Sequence, residues 1–554
     1  MTLANASQFD RNDLFACQPL KMRPGPIVFR ATFSQGLAMF VPRPHSVVTE
    51  SSSASSGDDM GTQRLPRVLG LFDATMIVVG SIIGSGIFLK VSAVDSALEP
   101  YGFGAIIGIW LFVGIITLCG SLALAELGAM FPHAGGPYIY IRESFGRLPA
   151  FLWGWTEFWV VRTGSIGALA CATVLYFNQV FPLSPVGQTV MAVAIIIGLS
   201  VVNRFSTKAG ARVQGAAAVS KVAFLAALIV LPYFFRRIDN SNLQPLLAMP
   251  QNVGDTLIFL KALGIAMVAV MWPYDGWINL GPVAEDIKDP GRNIPRAMIF
   301  GLGLVIVVYL GANLSYHLVL PIHHLANSGT VAADVFQKLF GPTGNQVAAI
   351  GVMISTFGAT NSNIIIGPRI YLAIARDGHV PHWLQSIHPR YLTPANAILI
   401  QTVWAVLLVL LFSLWNPDSP AVSPPTAGAA SNSVLPTSLF LSNAEHSRHL
   451  KSAFDNLTDS VICAGLIFYG MAVAAVYVLR RTQPLAARPY KTWGYPYTPA
   501  LLLLAYAGAF VSLLMQRWTQ TMGVLSLIAA GVAYYLVAKA VRTRIRDDAR
   551  STKE

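Results

Sequence analysis

The sequence predicts an all-α polytopic membrane protein with twelve transmembrane helices. Three observations carry that prediction. Of 554 residues, 54% are hydrophobic and only 12% are charged, against about a quarter charged in soluble proteins. Apolar stretches of the roughly 20 residues needed to cross a bilayer recur along the chain. Lys and Arg are also distributed unevenly between alternate loops, as they are where basic loops stay on one side of a membrane.

In chain order, residues 1–62 are polar and without periodicity, with a Ser-rich run at Ser51–Ser56. They lack the apolar core of about 7–15 residues that marks a secretory signal, and they read as a disordered tail. Organised sequence begins just after Met60, so Met60 is an alternative start of translation. The membrane-spanning body occupies 63–541. Spans are expected near 68–91, 103–128, 150–177, 187–202, 211–235, 256–282, 294–320, 345–375, 393–414, 461–479, 499–515 and 521–541. The fourth and eleventh are short. Residues 415–460, rich in Pro, Ser, Ala and Asn, read as a loop insertion between spans 9 and 10, and 542–554 as a terminal tail.

With the N-terminus placed in the cytoplasm, the inner loops and flanks carry twenty-three Lys and Arg residues and the outer loops six. The bias puts both termini inside and the 415–460 loop outside. It also accounts for the formal charge of +12 without a nucleic-acid partner. Cys17, Cys119, Cys171 and Cys463 have no metal-like or paired spacing. His379, His382 and His388 lack a Cys or carboxylate partner, so no metal site or other cofactor is expected. The signatures of phosphate loops, zinc proteases and serine hydrolases are missing, and the chain does not read as an enzyme.

The chemistry concentrates in two spans. Span 1 contains Gly80-Ser81-Ile82-Ile83-Gly84-Ser85-Gly86-Ile87-Phe88. Its three glycines and two serines weaken the helix at a depth where freed backbone groups meet no water. Such a break is tolerated only against protein or a filled cavity. Its amides suit a carboxylate, although Gly80 and Gly84 also form a small-residue packing face. Span 6 contains Met271-Trp272-Pro273-Tyr274-Asp275-Gly276-Trp277. Pro273 and Gly276 interrupt it, and Asp275 is an intramembrane carboxylate, rare enough to suggest function. Interrupted helices at matching places in two five-span halves, 68–235 and 256–479, point to inverted repeats with a midplane binding site.

With these residues in view, the chain resembles the amino acid–polyamine–organocation superfamily, and within it the L-type amino acid transporter-like branch in its bacterial form. The matching stretches are GSIIGSGIF at Gly80–Phe88, PHAGGPY at Pro132–Tyr138, and YDGWINLGPVAEDIKDPGRNIPR at Tyr274–Arg296. Two more are GPRIYLAIARDGHVPHWLQSIHPRYLTP at Gly367–Pro394 and RPYKTWGYP at Arg488–Pro496. The resemblance implies an amino acid transporter of the cytoplasmic membrane, working by proton symport or exchange. It implies that Ile83, Gly84, Ser85 and Gly86 hold the substrate carboxylate. The carbonyls of Ile82 and Trp272, with the Asp275 position, would take the amino group, and Trp272 would close over the bound molecule. Lys221 in span 5 matches a position where proton-coupled relatives carry a lysine beside the first break. A lysine there either exchanges a proton or snorkels to the interface.

Animal members of the branch bind a single-span heavy chain through a cysteine between spans 3 and 4. That loop, Asn178–Gly187, has none here, so no disulfide-linked partner is expected. Asp275 leaves open a polyamine or cationic amino acid as substrate, and a receptor with this fold but no flux is a further alternative. Glu126, Glu157, Arg162 and Lys261 are expected to be structural, reaching the interface or pairing with neighbours from near span ends. Glu285–Arg292 with Arg376 and Asp377 is expected to form an inner gate or a structural network.

Overall fold

The computed structural model describes residues 67–551, less 68, 134, 206, 392 and 415–442. For 207–212, 382, 414, 443–449 and 544–551 it describes the backbone alone. The proposed N-terminal tail, the Met60 start and most of the loop insertion lie outside the described residues.

Among those residues, twelve helices are long and apolar enough to cross a membrane. Spans 1–6 are Leu71–Leu89, Phe103–Met130, Arg147–Val180, Pro185–Phe205, Val213–Phe234 and Val253–Asp286. Spans 7–12 are Pro290–Val319, Pro342–Arg376, Ala395–Ser413, Leu450–Thr482, Tyr497–Gln516 and Trp518–Thr543. The protein is an all-α polytopic membrane protein. Two expected boundaries need correction. Span 4 is longer than expected, and span 10 lies within a helix, Asn443–Thr482, that begins well inside the expected 415–460 loop. Charged Lys451, Asp455 and Asp459 depress the apolar signal there. Leu450, Ala453, Phe454 and Leu457 nonetheless share one helical face and are buried.

The order of packing follows the inverted repeat. Successive spans run in opposite directions, so any two spans five apart are antiparallel. Spans 1 and 6, 2 and 7, 3 and 8, and 4 and 9 all pack directly on one another. Span 3 lies at the centre, 83% buried over its most apolar window, whereas span 12 is peripheral at 11%. Lipid tails are as apolar as leucine, so burial of apolar surface does little to hold such helices together; close contact and internal polar bonds do more.

Both expected breaks are present. Span 1 is helical over Leu71–Ile82, turns extended at Ile83 and resumes at Gly86–Leu89. Span 6 is α-helical over Val253–Tyr274 and extended at Asp275. It continues as a 3₁₀ helix, Trp277–Asp286, beyond a left-handed Gly276. At the face where the described chain begins, Leu69 and Ile287 form a strand-like bridge. The Leu69 amide donates to the Asp286 carbonyl and the Lys288 amide to the Leu69 carbonyl, both at 2.9 Å.

Candidate functional site

The two breaks touch. A Cβ on Gly86 would lie 2.5 Å from Pro273 Cα, and one on Gly276 2.5 Å from the Ser81 carbonyl oxygen. Two backbones can cross this closely only where side chains are missing, which is why each break carries glycine at the crossing.

Breaking a helix in lipid frees carbonyls that must find donors. Here side chains from three other spans supply them. Lys221 Nζ in span 5 donates to Gly80 O at 2.9 Å and to Ile83 O at 2.7 Å. Ser355 Oγ in span 8 donates to Gly84 O at 3.1 Å. The Tyr309 hydroxyl in span 7 lies 2.9 Å from Pro273 O and 3.2 Å from Ile82 O, so one proton is shared between the two breaks. Lys221 is completely buried. It does not snorkel; its ammonium holds the first break from the side away from the cavity. By contrast, the amides of Gly84, Ser85 and Gly86 donate to no backbone carbonyl among the described residues.

Those three residues, with Ser81 and Ile82, line a central cavity whose opposite wall is Trp272, Asp275, Gly276 and Asn279. Ser165 from span 3 and Asn363 from span 8 complete its polar lining. The volume is about 30 Å³, room for roughly two waters. Trp272 forms part of the enclosure: its indole Nε1 donates to Ser85 Oγ at 3.1 Å, and its ring packs edge-on against Phe454 of span 10. The Trp272 carbonyl accepts from the Asp275 amide at 3.0 Å. The Asp275 side chain is enclosed beside Tyr469, and its Oδ1 has no hydrogen-bond partner among the described residues. The structure thus brings Ile82, Gly84, Ser85, Gly86, Trp272 and Asp275 together around one cavity. Ile83 sits at the break but turns its carbonyl to Lys221.

Below the cavity, Glu157 and Arg162 take the second of their two expected roles and pair with each other. They are 0% and 3% exposed, on a π-helical turn of span 3. Arg162 Nε donates to Glu157 Oε1 at 2.9 Å, and a second guanidinium nitrogen pairs with the same oxygen. The guanidinium also donates to Asn363 Oδ1 at 2.6 Å and to Asn279 Oδ1 at 3.1 Å, fixing two of the residues that line the cavity. Asn279, Asn363, Ser165 and Tyr309 went unmarked in the sequence, because neutral polar residues in spans carry no signal until their partners are known.

Charge networks lie on either side of the cavity. On the side where span 1 ends, Lys90 pairs with Asp455 at 2.7 Å and with Asp459 at 3.6 Å, and Arg517 with Asp459 at 3.2 Å. Lys90 Nζ also lies 5.3 Å from the centre of the Phe454 ring. On the opposite side, Asp377 pairs with Tyr138 at 2.6 Å and with Arg142 at 3.0 Å. Both residues lie on a short helix, Pro137–Phe145, that packs on the 3₁₀ part of span 6. Asp377 therefore joins the loop between spans 2 and 3. Glu126 is likewise internal, held by Arg480 at 2.6 Å and by Thr492 at 2.7 Å.

Two broken helices crossing at a small polar cavity, within paired antiparallel spans, are the arrangement of an inverted-repeat membrane transporter. The chain belongs to the amino acid permease family, whose model matches residues 69–537. It is 29% identical over 481 residues to the serine/threonine exchanger SteT of Bacillus subtilis, covering 85% of this chain and 95% of that protein. It is 30% identical over 504 residues to the mouse large neutral amino acids transporter small subunit 2, covering 89% and 85%. A third relative, the mouse b(0,+)-type amino acid transporter 1, is 26% identical over 496 residues, covering 88% and 91%. The protein is an amino acid permease.

Proposed function

We propose that the permease carries a zwitterionic amino acid across the cytoplasmic membrane, both termini lying in the cytoplasm, by exchange or together with a proton. The observation that carries this reading is the cavity between the breaks. On one wall the unpaired amides of Gly84, Ser85 and Gly86 and the Ser85 hydroxyl offer donors to a carboxylate. On the other, Asp275 Oδ1 and the break carbonyls offer acceptors to an ammonium. An entering amino acid would part Trp272 from Ser85 and enlarge the cavity, and rocking of the surrounding spans would expose it to each side in turn. No covalent chemistry is needed. That one relative is a serine/threonine exchanger supports exchange; the place of Lys221 supports a proton. Loss of the Lys221 charge would weaken its hold on Gly80 O and Ile83 O and loosen the first break.

Uptake of a labelled amino-acid panel into proteoliposomes, with and without an inward proton gradient, tests the proposal on wild type and Lys221→Ala. Gradient-driven accumulation that disappears in the variant would establish symport with Lys221 in the coupling. Uptake that needs internal amino acid and ignores the gradient would establish exchange and leave Lys221 a structural tie. Folded protein that moves no amino acid would refute the reading.

The unpartnered Asp275 oxygen favours a second reading, in which the substrate carries an extra cationic group. Asp275→Asn is then expected to abolish uptake of a dibasic substrate while sparing neutral ones. Loss of neutral uptake with dibasic uptake preserved would reject it.

A further inference from the structure

At the face where span 3 begins and span 12 ends, two cavities adjoin that have no part in the central site. The first, about 250 Å³, is an aromatic crevice among spans 3, 8, 9 and 12, walled by Trp155, Trp159, Tyr371 and Ile400. The Trp155 indole is already engaged, its Nε1 donating to Leu527 O at 3.0 Å. What faces the crevice is almost wholly ring and aliphatic surface.

The second cavity, about 220 Å³, is polar and basic, lined by Arg147, Lys539, Arg542, His379 and Thr543. Phe151 and Tyr534 line both cavities, and their rings stack with centroids 5.8 Å apart. They form the sill between the two. Among the described residues no Asp or Glu lines either cavity. The nearest acid acting on His379 is Asp377, which Arg142 and Tyr138 already engage. The His379 imidazole is pushed down to about 4 by burial and by the charges of Arg542 and Arg147, so it stays neutral while the field around it is positive. Arg542 also donates to the Gly378 carbonyl, which fixes its guanidinium at the cavity wall.

A basic pocket at the depth where spans leave the membrane, opening over an aromatic sill into a dry crevice beside a peripheral helix, matches one kind of molecule. We propose that these cavities form a binding site for an anionic phospholipid, its phosphate beside Arg147, Lys539 and Arg542 and an acyl chain in the crevice past Tyr534. The apolar crevice separates this ligand from free phosphate, which would use the basic pocket alone. The basic pocket separates it from a neutral lipid, which would have no use for three cations. The site bridges span 12 to the end of span 8, next to the Asp377–Tyr138 hydrogen bond. Its occupancy would therefore bear on how readily that face opens.

Native mass spectrometry of the purified permease, incubated with equal amounts of phosphatidylglycerol and phosphatidylcholine, tests the site directly. The wild type is expected to retain phosphatidylglycerol in preference, and excess inorganic phosphate to leave it bound. The double variant Arg147→Gln/Lys539→Gln is expected to lower the phosphatidylglycerol preference by roughly tenfold or more, from the loss of two charges near a lipid phosphate. Ile400→Trp, which fills the crevice but keeps every charge, is expected to lower retention of the diacyl lipid as well. Elution profile and unfolding temperature identify any variant that fails to fold, and the Ile400 variant tests the crevice independently of the basic pair. Equal retention of the two lipids by the wild type, displacement by inorganic phosphate, or preference unchanged in both variants would overturn the proposal.

Discussion

Gly276→Ala is expected to abolish amino acid uptake and to cut the yield of folded protein sharply. Gly276 sits at φ +104°, a conformation a Cβ makes strained, and that Cβ would meet Ser81 O at 2.5 Å and Ser81 C at 2.8 Å. Neither contact is with a flexible side-chain tip, so the two breaks would have to separate. The left-handed strain costs about 1–2 kcal/mol and overpacking about 1–3 more, at the point where both half-helices meet. Gly86→Ala, facing Pro273 Cα at 2.5 Å, should behave alike, whereas Gly108→Ala, with nothing within 4 Å of its Cβ, should be neutral. Uptake in proteoliposomes, together with the elution profile of solubilised protein, measures both effects. Normal uptake by Gly276→Ala would mean that the breaks do not cross as described.

The other large effect is expected at Arg162. Arg162→Met leaves Glu157 buried with no cationic partner and releases Asn279 and Asn363 from the guanidinium. Breaking a buried pair from one side costs about 3–5 kcal/mol, a large part of the roughly 5–15 kcal/mol by which proteins are stable. Glu157→Gln should cost less, because Arg162 keeps two amide oxygens as acceptors. Glu157→Gln/Arg162→Met should recover part of the loss. Unfolding temperatures of the solubilised variants order these expectations, and a double variant worse than Arg162→Met would contradict the pairing. Where Arg162→Met still folds, apparent substrate affinity should fall, since two residues lining the cavity have lost their anchor.

How much of this was legible in the sequence depends on whether a feature is local. The spans were, because twenty apolar residues in a row leave few alternatives. The breaks were, because Gly84, Gly86, Pro273 and Gly276 interrupt a helix whatever surrounds them. The first turns of span 10 were not, since Lys451, Asp455 and Asp459 look hydrophilic until Lys90 and Arg517 are placed beside the two carboxylates. The Glu157–Arg162 pair shows the same limit more finely. Residues five apart lie on different faces of an α-helix and come together only when the helix widens to a π turn, which no spacing rule announces. Tyr309 and Ser355 are donors to another helix's carbonyls, a relation that exists only in the folded protein. The Lys221 position was legible, but its direction was not. What decides whether a lysine snorkels is the neighbouring backbone, and here two unpaired carbonyls of span 1 outcompete the interface.

The bridge between Leu69 and Ile287 bears on how the molecule moves. It is made of backbone groups, so side-chain substitutions at those two positions leave its bonds in place, and it fastens the start of span 1 to the end of span 6. With the breaks crossing at the glycines and the bridge one half-helix away, the two segments are pinned together at two levels. They behave as one two-stranded strut. Opening toward that face would swing the strut as a single lever against spans 3 and 8, carrying the proposed carboxylate- and ammonium-binding groups of both breaks with it and leaving Asn363 and Ser165 behind.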